Sequence, residues 1–126
     1  MPRKRNFERL RRTQGCLTDC VAYFLNKHPE HVPYFVYPRN GWNERLKDYL
    51  KRNGYRAHWN KIEFAPLKER GLQIVCGDSL KYKTYSHAVV YRGTRLVYDP
   101  LYPSKWKNHR ITHRLVMTKI KSITTQ

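Results

Sequence analysis

Three residues that are far apart in the chain, Cys16, His87 and Asp99, are of the types that nucleophilic catalysis uses. From Cys16 onward, apolar residues recur at spacings of three and four, which predicts that the thiol lies at the N-terminus of a helix. The unbonded N–H groups and partial positive charge of a helix start stabilise a thiolate, the reactive form of cysteine. The same N–H groups can receive the oxyanion of a tetrahedral intermediate. The position of Cys16 therefore suits a nucleophile.

The histidine and the aspartate lie on a predicted β-hairpin. Residues 86–91 and 95–98 have the pattern of strands, and Arg92-Gly93-Thr94 lies between them as a turn. Such a hairpin brings His87 and Asp99, twelve positions apart (99 − 87 = 12), to one edge of the sheet. A carboxylate there can accept a hydrogen bond from one imidazole nitrogen and leave the other to face the cysteine. We expect His87 as the base and Asp99 as the residue that orients it.

The remaining patterns predict the elements that hold these residues. Two helices are expected, from Cys16 to a stop at Asn26–Pro29 and from about Gly41 to Arg52. Strands are predicted at 55–59, at 72–76 with a turn after Gly77, in the hairpin, and at 111–120. Helices that precede an antiparallel set of strands predict an α+β domain, with N-terminal helices packed on an antiparallel sheet.

The length and composition indicate a single domain. The 126 residues divide into a basic arm, 1–13, and a folded domain, 14–126. No apolar run is long enough for a membrane helix, and the basic N-terminus lacks the apolar stretch of a secretory signal, so a cytoplasmic protein without a membrane partner is expected. Three cysteines without an export signal predict reduced thiols.

The charge indicates an anionic partner. Lys and Arg number 26 against nine Asp and Glu, which gives a formal net charge of +17. Nucleic acid or a ribonucleoprotein is the expected polyanion, because interleaved cations and aromatics bind phosphates and stack on bases. The basic residues predicted to form this surface are Arg3, Lys4, Arg5, Arg11, Arg12, Lys81, Lys83, Lys105, Lys107 and Arg110.

The order of these motifs resembles a known family. The segments Gly15-Cys16-Leu-Thr-Asp-Cys20-Val-Ala, His31-Val-Pro-Tyr-Phe, His87-Ala-Val-Val and Val97-Tyr-Asp99-Pro are similar to small papain-like cysteine peptidases of phages and bacteria, and through them to the peptidase domains that process bacteriocin leaders. The resemblance implies a papain-like fold and a thiol hydrolase of peptidase or amidase type. It gives Cys16, His87 and Asp99 the roles of nucleophile, base and orienting residue. It also implies a peptide or protein substrate, no cofactor, and a place in the host cytoplasm or the virion of a phage.

The resemblance leaves a second candidate for the nucleophile. Bacteriocin peptidases carry a glutamine, an oxyanion donor, six residues before the nucleophile, and here Leu10 lies six residues before Cys16. Gln14 is the nearest glutamine and the candidate donor; it lies six residues before Cys20, which makes Cys20 a rival nucleophile. Cys20 is expected a full turn inside the helix, away from the free N–H groups, and a buried free cysteine is often a small hydrophobe. Cys16 is therefore preferred.

The same residues allow two interpretations other than an enzyme. Cys16 and Cys20, at positions i and i+4, could share a metal ion, but the two close cysteine pairs of structural zinc sites are absent, so no metal ligand is predicted. The alternative function is a catalytically inert papain-like scaffold that binds nucleic acid or a ribonucleoprotein through its basic surface, as a phage structural or host-takeover protein.

Overall fold

The computed structural model describes residues 15–79, 86–100 and 109–121, and these residues form an α+β fold. Two α-helices and a short 3₁₀-helix precede five strands. The helices are α1, Cys16–Leu25, and α2, Trp42–Arg52, with the 3₁₀-helix at Pro29–His31 between them. The strands are β1, Tyr55–Lys61; β2, Leu72–Ser79; β3, Ser86–Arg92; β4, Arg95–Tyr98; and β5, His109–Lys119.

Both helices begin and end where the sequence predicts. Helix α1 ends because Asn26 adopts the left-handed conformation, at φ 58° and ψ 48°, and its N–H bonds back to the carbonyl of Tyr23. Helix α2 follows Gly41 and buries one face, formed by Leu46, Tyr49 and Leu50. The predicted apolar stripes are therefore the faces that the helices bury.

The five strands form one antiparallel sheet in the order β1-β5-β2-β3-β4. Strand β5, the last in the chain, lies between β1 and β2 and pairs with both. The turn predicted after Gly77 is wrong, because β2 continues to Ser79. Its pairing with β5 shifts register between Cys76 and Gly77, and this bulge lets the strand pass the glycine without ending.

The helices pack on one face of the sheet and form the main core. Its centre is fully buried and includes Cys20 and Val21 of α1, Leu50 of α2, and Ile74 and Leu115 of the sheet. At the β4 end of the sheet, the ring of Tyr23 in α1 stacks on that of Tyr98, with 4.5 Å between centroids. This stack ties α1 to the strand end that leads into Asp99.

The other face of the sheet is covered by the segment between β1 and β2, residues 62–71. Leu67 of this segment packs against a second apolar cluster that includes Val75 and Val89. The buried Arg114 donates from Nε to the carbonyl oxygen of Ala65 over 3.2 Å, and the buried Gln73 exchanges hydrogen bonds with the backbone of Lys68. Hydrogen bonds from Gln73 and Arg114, both in sheet strands, therefore attach residues 62–71 to the sheet.

Neither of the described helices has the length and apolar character that a membrane span requires.

Candidate active site

Cys16 is the first residue of α1, and Gly15 precedes it as the N-cap. Gly15 adopts φ 80° and ψ 160°, a conformation that is essentially restricted to glycine. The first helical backbone bond of this end runs from the N–H of Asp19 to the carbonyl of Gly15 over 3.1 Å. Helix geometry leaves the N–H groups of residues 16–18 without intrahelical acceptors. The Cys16 thiol therefore lies where backbone donors and the positive end of the helix dipole meet.

The loop that follows the 3₁₀-helix packs against this helix start. The Thr18 hydroxyl donates to the carbonyl of Pro33 over 2.8 Å, and Thr18 is buried. A Cβ added to Gly15 would lie 2.9 Å from the Tyr34 ring, closer than real Cβ contacts allow. Gly15 is therefore needed for its backbone conformation, and a side chain there would also have to displace the half-exposed Tyr34 ring.

His87 and Asp99 form a buried hydrogen-bonded pair at the open end of the β3–β4 hairpin. His87 is the second residue of β3 and pairs with Gly77 of β2, while Asp99 directly follows β4. The imidazole Nε2 lies 2.5 Å from the Asp99 carboxylate oxygen Oδ1. The two side chains are 0% and 6% exposed. The hairpin therefore brings together His87 and Asp99, and its register shifts between Val90 and Tyr91. Because Asp99 engages Nε2, the nitrogen left for the thiol is Nδ1.

The pKa of His87 reports what surrounds the ring. Burial opposes the charged form and lowers the pKa, but hydrogen bonds to Asp99 and Cys16, together with the charges of these two residues, outweigh it. The result is a rise in the pKa of His87 from 6.5 to about 9. At neutral pH the ring is therefore an imidazolium, which the Asp99 carboxylate and Cys16 both stabilise.

Cys20, the rival nucleophile, lies one turn further along α1 inside the core. Its side chain has no exposed surface and packs in the main apolar cluster. Burial raises the pKa of the Cys20 thiol well above 9.0, and the charges of Cys16, Asp19 and Asp99 raise it further. This environment favours a neutral, inaccessible thiol, so the geometry favours Cys16 over Cys20.

Cys16 and His87 line a cleft of about 260 Å³ on the helical face of the sheet. The other described residues of its wall come from α1, the loop before α2, α2, and three strands: Leu17, Val36, Arg39, Trp42, Trp59, Cys76 and Ala88. Sequence reasoning placed Trp42 and Trp59 in a helix and a strand but did not assign them to the site. The alternation in β1, where Tyr55, Ala57 and Trp59 all contact the helical layer, is the signal that points Trp59 inward.

The other residues proposed from sequence are mostly not placed by the structure. Gln14 lies outside the described residues, and so do nine of the ten basic residues expected to bind nucleic acid: Arg3, Lys4, Arg5, Arg11, Arg12, Lys81, Lys83, Lys105 and Lys107. Arg110 is described; it is exposed on β5, at the register position of Asp78 in β2. Of the site residues proposed from sequence, the structure thus describes Cys16, Cys20, His87, Asp99 and Arg110.

Within residues 15–79, 86–100 and 109–121, no three His, Cys, Asp or Glu side chains are grouped so as to hold a metal ion. All three cysteines of the chain fall in these ranges, and each is a free thiol. Comparison of the chain with protein-family models, curated proteins and solved structures gives no match.

Proposed function

We propose that this protein is a papain-like thiol hydrolase, of peptidase or amidase type, that acts through an acyl-enzyme on Cys16. The observation that carries the proposal is the arrangement of three groups. A thiol at a helix N-terminus lines a cleft together with a histidine, and a buried carboxylate engages the far nitrogen of that histidine. A nucleophile beside a base, with a third group that orients the base, is the general arrangement of activated-nucleophile catalysis.

In the acylation step, the Cys16 thiolate attacks the carbonyl carbon of an amide, isopeptide or thioester. A carbon–sulfur bond forms, and the carbonyl π electrons move onto oxygen. The N–H groups of the first turn of α1 are positioned to receive that oxyanion. When the carbonyl re-forms, the bond to the leaving group breaks, and His87 gives its proton to the departing nitrogen or sulfur. Cys16 is left as a thioester.

In the deacylation step, His87 is neutral and acts as a base. It takes a proton from water, whose oxygen attacks the thioester carbonyl. Collapse of this second intermediate releases a carboxylic acid and the Cys16 thiolate, and the proton remains on His87. Asp99 holds Nε2 throughout, so the ring keeps the orientation and the tautomer that leave Nδ1 for the reaction.

Burial of the His87–Asp99 pair is expected to assist this cycle. A charge-assisted hydrogen bond that is shielded from water is stronger than an exposed one, because the local dielectric is low. It fixes the imidazole without a competing water molecule. The raised pKa of His87, about 9, keeps the proton available for the leaving group at neutral pH.

The experiment that tests the proposal is acylation by p-nitrophenyl acetate, an activated ester that needs no specific binding pocket. We expect release of p-nitrophenol with turnover, and peptide mass mapping should locate the acetyl group on Cys16. Cys16→Ala should reduce turnover by about 10³-fold or more, since removal of a nucleophile costs most of the catalysis. Cys76→Ala is the matched control, because this second half-exposed thiol lines the same cleft and has no proposed role.

The result against the enzyme is equal ester turnover in the wild type and Cys16→Ala, or acetylation spread evenly over Cys16 and Cys76. In that case the inert scaffold that binds nucleic acid through basic residues becomes the better explanation of the +17 charge. Its own signature is an affinity for RNA or DNA that falls steeply with salt.

A further inference from the structure

The cleft beside Cys16 combines apolar walls with one permanent positive charge. Its lining residues include the apolar Leu17, Val36, Trp42 and Trp59, and also the exposed Arg39, whose side chain ends in a guanidinium. No carboxylate occurs among the described residues that line the cleft. Within those residues, the Arg39 side chain has no ion-pair partner of its own. The wall therefore offers a cation that a substrate could neutralise.

Arg39 is held at this wall by the loop that carries it. The guanidinium of Arg45, in α2, donates to the carbonyl oxygens of Asn40, over 2.8 Å, and Phe35, over 2.7 Å, and also to that of Pro38. The backbone carbonyl of Arg39 itself accepts the N–H of Trp42 over 3.4 Å. Arg45 thus binds the backbone at both ends of residues 35–40, the segment that contains Val36 and Arg39.

The size of the cleft sets a limit on what enters it. A cavity of about 150 Å³ holds a benzene ring, so about 260 Å³ admits one bulky side chain with part of its main chain. Drug-sized ligands and cofactors occupy roughly 300–1,000 Å³. The dimensions therefore suit a short length of peptide.

We propose that the cleft accepts an acidic peptide segment, in which a bulky apolar residue packs against Trp42 and Trp59 and a neighbouring carboxylate pairs with Arg39. This inference rests on the proposed function, since it defines the substrate of the same thiol. The net charge of +17 favours the same partner, because a strongly positive protein attracts acidic chains over a distance and speeds their encounter. The carboxylate belongs either to an Asp or Glu side chain or to the C-terminus of the substrate.

The first test compares two alkylating reagents at one thiol. Iodoacetate and iodoacetamide share their leaving group and nearly their size, but only iodoacetate carries a carboxylate. The ratio of their reaction rates at Cys16, obtained by peptide mass, measures the preference of the cleft for an anion. We expect Arg39→Gln to lower this ratio by about fivefold and Arg39→Glu to lower it further, since exposed ion pairs are modest. The difference should shrink at about 1 M salt, where the Debye length is short.

The matched control is Arg95→Gln, which removes the same charge. Arg95 is exposed and begins β4 at the turn end of the hairpin, whereas His87 and Asp99 lie at the opposite end. We expect its iodoacetate-to-iodoacetamide ratio at Cys16 to equal that of the wild type. A fall as large as that of Arg39→Gln would show that net charge, and not Arg39, sets the preference, and would overturn the inference.

The second test identifies the source of the carboxylate with peptides that differ by one group. Each contains Phe or Leu flanked by Glu or by Gln, with either a free or an amidated C-terminus. Faster cleavage of the Glu peptides shows a side-chain carboxylate, and faster cleavage of free-terminus peptides shows a terminal one. In either case Arg39→Gln should remove the advantage, whereas cleavage that ignores both groups overturns the inference.

The two proposals fail in different ways. If His87→Ala slows the alkylation of Cys16 but the reagent ratio does not depend on Arg39, the thiol hydrolase stands and the acidic substrate is wrong. If the alkylation of Cys16 does not depend on His87, the proposed function is wrong, and the substrate inference fails with it.

Discussion

The first and second turns of α1 each carry a cysteine, and the two thiols lie in opposite environments. Cys16 opens the helix, is half-buried, and lines a cleft with a histidine. Cys20 lies one turn later, has no exposed surface, and packs among the apolar residues of the core. The two residues are chemically identical, so the difference between them comes entirely from their position in the helix.

This difference shows what a reactive cysteine requires. Backbone N–H groups without acceptors occur only at the start of a helix, so the second turn cannot supply an oxyanion site. Burial that excludes water also disfavours the thiolate, and the raised pKa of Cys20 reflects this. The helix therefore uses one thiol for packing and leaves the other available for chemistry.

The largest expected effect on the free energy of unfolding concerns His87, the histidine that lines the cleft together with Cys16. His87 has a folded-state pKa of about 9 against 6.5 for a free histidine, so its proton stabilises the fold. The contribution is complete below about pH 6.5, where both states are protonated, and is lost as the pH rises toward 9. We expect the free energy of unfolding of the wild type to fall by on the order of 3 kcal/mol across this interval. The fall should be smaller in Asp99→Asn, whose His87 loses one of the two residues that favour its charge.

Urea unfolding at about pH 6, 7.5 and 9 measures this difference. Asp99→Asn is a conservative control because the amide keeps the shape of the carboxylate and removes only the charge. Parallel pH profiles for the two proteins would show that Asp99 does not hold the proton on His87. Cys16 would then lack the neighbouring imidazolium that distinguishes its environment from that of Cys20.

A smaller effect is expected from Gly15, which shapes the helix start. Gly15→Ala must place a side chain at a positive φ and push aside the Tyr34 ring, so we expect a loss of about 2 kcal/mol in unfolding free energy. Gly71→Ala is the matched control, because Gly71 has a similar φ, 84° against 80°, but has open space around the added Cβ. The excess loss in Gly15→Ala over Gly71→Ala contains the Tyr34 contact together with the effect of the ψ of 160° at Gly15.

In a Tyr34→Ala background, Gly15→Ala should cost less than in the wild type, since the obstructing ring is gone. Equal losses in Gly15→Ala and Gly71→Ala would show that only backbone conformation matters at Gly15. Tyr34 would then have no part in shaping the first turn.

The smallest expected effect on the free energy of unfolding concerns Cys20, in the second turn of α1. Cys20→Ala leaves a small void in a packed core, and we expect a loss of about 1 kcal/mol in unfolding free energy. The half-buried Cys76→Ala should lose less than about 0.5 kcal/mol. Urea unfolding at neutral pH measures both. If Cys20→Ala costs no more than Cys76→Ala, the assignment of Cys20 to packing is wrong.

The local elements were predictable from sequence because each carries its own signal. The stripes of α1 and α2 and the hairpin of β3 and β4 depend on short-range periodicity and turn residues, and both helix ends agree with the structure. The predicted hairpin also sufficed to bring His87 near Asp99, although the register shift between Val90 and Tyr91 was not predicted.

The long-range features were not predictable in the same way. Nothing local in 109–119 shows that β5 lies between β1 and β2, since pairing between distant strands depends on the assembled core. That pairing also carries β2 past Gly77, where the sequence indicates a turn. The wall of the cleft draws Arg39, Trp59 and Cys76 from three separate segments, so only the folded chain reveals it.

The most direct test of the central claim is the rate of iodoacetamide alkylation at each cysteine of the native protein, mapped by peptide mass at about pH 6.5. We predict that Cys16 reacts at least about tenfold faster than Cys20 and Cys76, and that His87→Ala removes most of this advantage. If Cys20 or Cys76 reacts fastest, or if the rate at Cys16 does not change in His87→Ala, the pairing of a helix-start thiol with His87 is contradicted.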